Sequence, residues 1–541
     1  MLKFLRLISS ALSNLSPKFT GIAQRPYLAL TLIGGLAFAG SATIGMIGGI
    51  AKPGEHDEFS YLLAADTFAH GRLTNPTHPM WIHFESIHII HLPTYMSKYP
   101  PAQGAILALG KLLTGYPIVG VWLSMGLMCA AICWMLQAWV PKRWALIGGF
   151  FAVLHPIMGI GGAWAQSYWG GALAATGGAL VLGGVRYLIK EPRVHQALLT
   201  GLGITILANS RPYEGLLLSV CAASLLSWGF LRKREIMLAL VVRKVILPLI
   251  FTCCVSAVWI GYYNFRVTRN PFRLPYQIHE QTYGIAPLFI WQNPAPMPEY
   301  RHASIREFHQ LYTLFFYHEK HSLIGFIKVS LKNSLMYFIL SFSVFAIPLL
   351  FSIRALIRWT LQSSWARIAL ATHIFVTAGI MLETYALLHY WAPVLALNYY
   401  VIVQSIRLWR RRDRRVRPLI VPALFCLAAI FMARSAHEKI QEENRPFSMR
   451  IQRANLIRQL EQQSVKHVVL VRHTSETHDD DAWVYNQADI DEAKIVWAHD
   501  MDPQENCKLV NYFKDRVVWS LDIERDGVPV KLNPFPRDSC Q

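Results

Sequence analysis

The feature that most constrains this chain is a series of apolar runs, each long enough to cross the ~30 Å hydrocarbon core of a lipid bilayer. Hydrophobic residues make up 53% of the 541 residues, and charged residues only 16%. This pattern predicts a multi-span α-helical membrane protein with about eleven transmembrane helices. The predicted spans lie at residues 27–50, 116–140, 145–163, 170–189, 197–210, 214–230, 245–263, 333–353, 368–388, 392–407 and 418–434.

The positive charges are grouped between the apolar runs. A formal net charge of +19 is by itself compatible with nucleic-acid binding. However, Lys and Arg form short clusters at alternate ends of the spans, the largest at 407–415, whereas residues 51–99 carry three Lys and Arg against five Asp and Glu. Positive residues are enriched on the cytoplasmic side of membranes. We therefore predict no nucleic-acid partner, a cytoplasmic N-terminus and an external C-terminus.

The predicted spans divide the chain into three parts. Residues 1–26 form a cytoplasmic tail, 27–434 form the transmembrane domain, and 435–541 form a small extracytoplasmic α/β domain. Two connections of the transmembrane domain are long and external, at 51–100 and 264–328. Loops of this length usually carry function or short helices of their own.

The C-terminal part alternates between helical and strand-like patterns. A polar helix is predicted at 445–462, followed by three buried strands with a second helix before the last of them. The predicted strands are 466–471, 493–498 and 516–521, and the second helix is 506–513. Cys507 and Cys540 can pair if this part lies outside the cytoplasm, whereas the other six cysteines lie in or beside predicted spans as small apolar residues.

Two adjacent carboxylates, Asp57 and Glu58, follow directly after the first predicted span. Charge is costly beside a bilayer, and an acidic group there usually faces a pocket or a partner, so the pair is a candidate functional site. A second interpretation is that Asp57 merely caps a helix that runs from Glu58 to His70 and ends at Gly71. The local sequence is consistent with both.

The predicted topology brings further polar residues to the same external face. They are Lys98, the turn from Gln166 to Trp169, Arg211, and the pair His389 and Tyr390. A carboxylate can take a proton from an acceptor, Lys and Arg can stabilise the oxygens of a departing phosphate, and aromatic rings suit a sugar. Each residue also has a structural interpretation: Lys98 can extend to the interface, Arg211 can anchor a helix end, and His389 can lie in a hydrogen-bonded pocket. Their convergence on one face favours a site.

Three stretches together resemble a known family. The first is the pair Asp57 and Glu58 with the stretch from Tyr61 to Leu73 that follows it. The second is Lys98-Tyr99-Pro100-Pro101, which precedes a predicted interfacial helix at 102–113. The third is Ser210-Arg211-Pro212 at the end of the fifth span. This set resembles the C-type glycosyltransferases that use polyprenyl-phosphate sugars, the superfamily of the protein O-mannosyltransferases and the lipid A aminoarabinose transferases. The resemblance covers residues 20–435 in architecture, with its specific motifs within 50–215.

The resemblance implies a C-type glycosyltransferase fold, a polyprenyl-phosphate-linked sugar as donor, and a lipid, glycan or protein as acceptor. It implies that Asp57 is the catalytic carboxylate with Glu58 as its neighbour in the same motif. It also implies that Lys98 lies at the lipid phosphate, with Arg211 as a second cation near it. The candidate substrate-binding residues are Tyr61, Lys98, Tyr99, Gln166, Tyr168, Arg211, His389 and Tyr390.

The sequence departs from the family at two places. Members often carry a second acidic residue in the external turn between spans three and four, and residues 163–168 contain none. The motif near span nine, commonly Arg-Tyr, is His389-Tyr390 here. Both changes concern the acceptor and any metal ion.

A required metal is not predicted. Some relatives hold a divalent ion near the site, and His83, Glu85, His88 and His91 are close together in this sequence. Their spacing, however, matches no defined set of metal ligands. We predict that no cofactor is required, with a divalent cation as the alternative.

We expect an inverting glycosyltransferase of the bacterial inner membrane whose Asp57 acts as general base at the periplasmic face, while Lys98 and Arg211 stabilise the phosphate leaving group. Inversion is implied by the family and by the single clear base. One alternative is a transporter or flippase for a lipid-linked sugar, a class that has related halves; the sequence shows no internal repeat. The other is a non-catalytic membrane protein that assembles partners through its tail, which the missing second acid favours.

Overall fold

The structure is a computed structural model that describes residues 17–233, 237–412, 418–473, 483–524 and 528–540. Helices dominate it. In these ranges, eight helical segments are long and apolar enough to cross a membrane: Pro26–Gly48, Ile118–Trp139, Gly171–Lys190, Pro212–Arg232, Leu238–Thr268, Leu323–Gln362, Ser364–Met381 and Ile420–Glu443.

The α-helices are numbered in chain order. They are α1 (Pro26–Gly48), α2 (His56–Ala69), α3 (Pro101–Thr114), α4 (Ile118–Trp139), α5 (Lys142–Val153), α6 (Gly171–Lys190), α7 (Val194–Ala208), α8 (Pro212–Arg232), α9 (Leu238–Thr268, with a π-helical turn at Val242–Ile246), α10 (Pro275–Tyr283), α11 (Ala303–Glu307), α12 (Leu314–His321), α13 (Leu323–Phe342), α14 (Ala346–Gln362), α15 (Ser364–Met381), α16 (Leu395–Arg412), α17 (Ile420–Glu443), α18 (Met449–Glu461) and α19 (Pro503–Tyr512). Short 3-10 helices occupy Trp81–His83, Ser343–Phe345, Leu388–Val394 and Arg537–Cys540, and a π-helical turn occupies Phe308–Thr313.

The predicted multi-span helical fold is confirmed, but the count of eleven spans is not. The predicted span 145–163 is wrong as a continuous helix, because α5 ends at Val153. Pro156 disfavours helix at the preceding residue, and Nδ1 of His155 accepts hydrogen bonds from the backbone N–H groups of Ile157 (3.2 Å) and Met158 (3.1 Å). The apolar character of this run therefore reflects burial among other helices rather than contact with lipid.

Two later spans also differ from the prediction. The predicted span 333–353 is interrupted at Ser343, whose φ is +44°, and the first of its two helices begins ten residues earlier, at Leu323. The predicted span 392–407 consists of a 3-10 helix followed by α16, whose first half is buried inside the protein. A hydropathy pattern records how apolar the surroundings are, and a protein interior is as apolar as lipid.

Small residues let the membrane helices approach closely. A Cβ atom added to Gly34 of α1 would lie 3.1 Å from the carbonyl oxygen of Gly126 in α4. Between α6 and α7, a Cβ on Gly203 would lie 2.7 Å from the carbonyl oxygen of Gly177. Because lipid tails are as apolar as the side chains, close van der Waals packing of this kind stabilises helix pairs in membranes.

The C-terminal part forms a four-stranded sheet with the order β4-β3-β5-β6. Its strands are β3 (His467–His473), β4 (Ile495–His499), β5 (Val517–Ile523) and β6 (Lys531–Pro534), and a two-stranded pair, β1 (Ile89–Ile90) and β2 (Met96–Ser97), lies in the first long loop. β3 pairs in parallel with β4 and β5, whereas β6 is antiparallel to β5. The three predicted strands and both predicted helices are confirmed to within a few residues; β6 was not predicted. Cys507 and Cys540 form a disulfide.

The sheet domain packs directly on α2. The ring of Tyr485 stacks on Phe59 at 4.5 Å, and the guanidinium of Arg453 lies 4.7 Å from the same Phe59 ring. The Tyr485 hydroxyl donates to the carbonyl of Ile87 (2.8 Å) and lies 2.9 Å from Nδ1 of His56. The C-terminal part therefore contacts the residue next to Asp57.

Candidate active site

Asp57 lies in the first turn of α2, with its side chain about one quarter exposed. Its Oδ1 accepts a hydrogen bond from the Tyr99 hydroxyl and lies 3.1 Å from Nε2 of His88. Asp57 is not the cap of the helix, because the N-cap position is Glu55 and the Glu58 carboxylate accepts the backbone N–H of Glu55 (3.2 Å). Asp57 is thus an oriented carboxylate that keeps solvent access.

His88 is held by its backbone as well as by its ring. It has a positive φ of 67°, its N–H donates to Nε2 of His279 (3.1 Å), and its carbonyl accepts from the Ser60 hydroxyl (2.7 Å) and the Lys98 N–H (3.1 Å). Burial and the positive charge of Lys98 hold the pKa of His88 well below its usual range. The His88 ring is therefore neutral at pH 7 and places its Nε2 beside Asp57.

Glu58 points away from Asp57 into the protein. It is 1% exposed, and its carboxylate accepts backbone N–H groups from Gly54 (2.9 Å), Glu55 (3.2 Å) and Tyr168 (3.0 Å). Three such bonds saturate the group and join the start of α2 to the turn before α6. The structure therefore places Glu58 as a support of the site rather than at its surface.

Replacing Glu58 by Gln is expected to lower the free energy of unfolding by about 2 kcal/mol, because the amide nitrogen leaves buried N–H groups unpaired. Thermal unfolding in detergent measures the change. Glu492→Gln is the matched control, since Glu492 is an 80% exposed carboxylate in a surface ion pair with Lys466. If Glu58→Gln unfolded at the same temperature as the native protein, the three backbone hydrogen bonds would not support the fold.

Lys98 is surrounded by a carboxylate and aromatic rings. Its Nζ is 3.1 Å from Oε1 of Glu280 and 5.0 Å from the centre of the Tyr276 ring, and its side chain is only 6% exposed. Burial acts to raise the pKa of Glu280, but the charge of Lys98 and the hydrogen bond with His279 outweigh it and hold the pKa well below its usual range. Glu280 is therefore ionised and paired.

Arg211 is the second cation of the site. Its guanidinium lies 4.7 Å from the centre of the Tyr390 ring, and Nη1 is 3.9 Å from Oε1 of Glu214. This distance exceeds that of a hydrogen bond, so the pair leaves room for Arg211 to bind another anion.

These elements line an open cavity of about 230 Å³. Five of the predicted site residues line it: Tyr61, Lys98, Tyr99, Arg211 and Tyr390. Asp57 adjoins this cavity through its bond to Tyr99. Apolar residues line other parts of the wall, among them Ala208, Ile260, Leu274 and Leu288. The cavity thus combines two cations with apolar surface.

Three of the predicted substrate-binding residues, Gln166, Tyr168 and His389, do not line the cavity. Nε2 of Gln166 donates to the backbone carbonyls of Ser41 (2.9 Å) and Ile160 (3.2 Å). The Tyr168 hydroxyl donates to the carbonyl of Ala51 (2.9 Å). His389 is packed with its ring centre 5.6 Å from Trp169, and burial and the charge of Arg211 hold its pKa well below the usual range. These side chains pack behind the residues that line the cavity.

Two acidic residues of the site were missed by the sequence analysis. Glu280 comes from α10 in the long loop 264–328, and Glu383 follows α15 and lines the cavity. The loop length was the only signal for Glu280, since 182 positions separate it from its partner Lys98. Other elements therefore supply carboxylates to the cavity wall and to Lys98 even though the turn 163–168 contains none.

The carboxylates of the site do not form a metal-binding set. Asp57 is bonded to Tyr99 and close to His88, and Glu280 is paired with Lys98. Across the described ranges, no group of three or more His, Cys, Asp or Glu side chains is arranged to hold an ion. Asp57 and Glu280 are each engaged by protein side chains instead.

No family profile and no curated protein matches the sequence. Among solved structures, ArnT from Cupriavidus metallidurans in the apo state is 13% identical, covers 95% of this chain and 93% of its own, and has a TM-score of 0.51. ArnT bound to undecaprenyl phosphate is 14% identical over 94% and 93%, with a TM-score of 0.49. The Archaeoglobus fulgidus oligosaccharyltransferase in complex with zinc and sulfate is 11% identical over 91% and 67%, with a TM-score of 0.46. The chain has the fold of the C-type integral membrane glycosyltransferases.

Proposed function

We propose that the protein is a membrane glycosyltransferase that moves a sugar from a polyprenyl phosphate to a lipid, glycan or protein acceptor at the periplasmic face of a bacterial inner membrane. The observation that carries the proposal is the cavity in which Lys98 and Arg211 flank Tyr99, whose hydroxyl bonds to Asp57. The cations can bind the phosphate, the apolar wall can bind the prenyl chain, and Asp57 can act as a base toward the acceptor. The fold, shared with ArnT, agrees with this assignment.

In the proposed reaction, Asp57 takes the proton of the acceptor hydroxyl or amine as the acceptor attacks the anomeric carbon. The bond between that carbon and the phosphate oxygen breaks, and the polyprenyl phosphate leaves with its negative charge facing Lys98 and Arg211. Tyr99 donates a hydrogen bond to Asp57 and the His88 ring packs beside it, so both fix its orientation. Since one base acts directly, the anomeric configuration inverts.

The test is transfer of label from a panel of radiolabelled polyprenyl-phosphate sugars into membranes that contain the protein. Membranes from the same cells without the protein are the control. Label that appears only with the protein establishes the activity and names the donor sugar. If the lipids bind but none transfers its sugar, the proposal of an enzyme fails and a lipid-linked sugar transporter becomes the better assignment.

A further inference from the structure

Glu383 is a cavity residue that the proposed reaction leaves unused. It lines the cavity together with Arg211, Glu214 and Tyr390, and it is 4% exposed. Its backbone is fixed on two sides: it forms a β-bridge with Phe289, and its carbonyl accepts a hydrogen bond from Nζ of Lys320 (2.6 Å). The side chain is thus held at the wall by a rigid support.

The carboxyl group of Glu383 lacks the partners that a buried anion would need. Its Oε1 has no hydrogen-bond partner among the residues that the structure describes. The nearby amine of Lys320 bonds to the backbone carbonyl of Glu383. An ionised carboxylate buried without a partner is very costly, and such a group takes up a proton instead.

The charges around Glu383 also favour its protonated form. Glu214 is also 4% exposed, and Arg211 is the guanidinium 3.9 Å from it. Burial and the charge of Glu214 raise the pKa of Glu383 to about 9, against the opposing charges of Arg211 and Lys320. The other groups that face Glu383 are the phenols of Tyr213, Tyr276 and Tyr390. At neutral pH the carboxyl of Glu383 is therefore an O–H donor.

We propose that neutral Glu383 donates a hydrogen bond to a phosphate oxygen of the polyprenyl-phosphate ligand, beside the cation of Arg211. This inference rests on the proposed function, because it assigns the cavity to that lipid. The proton stays on Glu383, since the second pKa of a phosphate monoester is about 6 and lies below that of Glu383. An ionised carboxylate here would repel the phosphate. The neutral acid supplies a directional donor where Lys98 and Arg211 supply charge.

The test compares Glu383→Gln, which keeps a neutral donor of the same size, with Glu383→Leu, which removes it. The purified full-length chain in lipid nanodiscs is titrated with farnesyl phosphate at pH 7, with farnesol as the uncharged control. Glu383→Gln is expected to bind farnesyl phosphate within about 3-fold of the native protein. Glu383→Leu is expected to bind it about 10- to 100-fold more weakly, with farnesol binding unchanged in both, because a hydrogen bond to a charged group is worth that much.

The pH dependence provides a second readout that does not need the Leu variant to fold. Above pH 9 the native Glu383 ionises and repels phosphate, whereas Gln cannot. The native protein is therefore expected to lose affinity for farnesyl phosphate relative to Glu383→Gln between pH 7 and pH 10.

The change of folding stability with pH also has a predictable direction. Between the ordinary pKa of a Glu, about 4.3, and the value of about 9 in the folded protein, only the folded state holds the proton. Native stability therefore falls as pH rises through this range. Glu383→Gln is expected to raise the unfolding temperature at pH 8 but hardly at pH 5.

Several outcomes would overturn the inference. If Glu383→Gln bound as weakly as Glu383→Leu, a neutral donor at this position would not hold the phosphate, and the inference would fail. If Glu383→Leu bound farnesyl phosphate like the native protein, Glu383 would not contact the phosphate. If the native protein bound no farnesyl phosphate, the assignment of the cavity, and with it the proposed function, would fail first.

Discussion

Replacing Asp57 by Asn is expected to lower the rate of sugar transfer by a factor of about 10²–10⁴, the contribution of a positioned general base. An amide cannot accept the proton of the acceptor. Its oxygen can still accept the hydrogen bond that Tyr99 donates to Asp57, so the local fold is retained. Donor binding is expected to stay within about 3-fold of the native protein, because the proposed reaction assigns the phosphate contacts to Lys98 and Arg211.

The measurement is the initial rate of transfer at saturating donor, together with the dissociation constant of the donor. Asp489→Asn is the matched control, since Asp489 lies in the C-terminal part, is 48% exposed and is 3.9 Å from Arg72. A native rate in Asp57→Asn would remove Asp57 from the mechanism. Loss of both transfer and donor binding would point to a misfolded site.

Replacing Lys98 by Met has two expected effects. Donor affinity falls by about 10- to 100-fold, because a charge-assisted contact to the phosphate is lost. The free energy of unfolding falls by about 3 kcal/mol, because Glu280 is left without its cation. This cost is at the lower end for a buried pair, since Glu280 keeps 23% exposure and a hydrogen bond with His279 (3.1 Å).

The double variant Lys98→Met/Glu280→Gln separates the two effects. Removing the unpaired charge is expected to restore most of the unfolding temperature, while donor affinity stays low. The thermal unfolding curve and a donor titration on the single and double variants complete the cycle. If donor affinity returned together with stability, Lys98 would serve the ion pair with Glu280 rather than the phosphate.

Local patterns predicted the parts of the protein that local forces determine. The strand runs around Val468, Val496 and Val518 are apolar and β-branched, and each forms a strand of the sheet within two residues of its predicted position. The start of α2 was predicted from its acidic residues. The separate roles of the two acids were not predictable, because adjacent residues of a helix point in different directions. Asp57 bonds to Tyr99 of the cavity wall, whereas Glu58 is buried in the interior.

Long-range pairs escaped prediction. Glu280 and Glu383 reach the site only because the loop 264–328 and the segment after α15 fold back over it, and no spacing in the sequence records this. The span at 145–163 was mispredicted for a related reason, since hydropathy alone does not distinguish lipid from a protein interior. A sequence can thus indicate the cations and the base of such a site while leaving their counter-charges unassigned.

The bond network of Tyr485 has a consequence for how the protein folds. Tyr485 belongs to the C-terminal part, yet its hydroxyl contacts Ile87 and His56, one residue away from Asp57. The membrane helices alone therefore lack contacts that hold the first turn of α2. Docking of the sheet domain supplies these contacts, so that Asp57 reaches its final surroundings only after the C-terminal part has folded against α2.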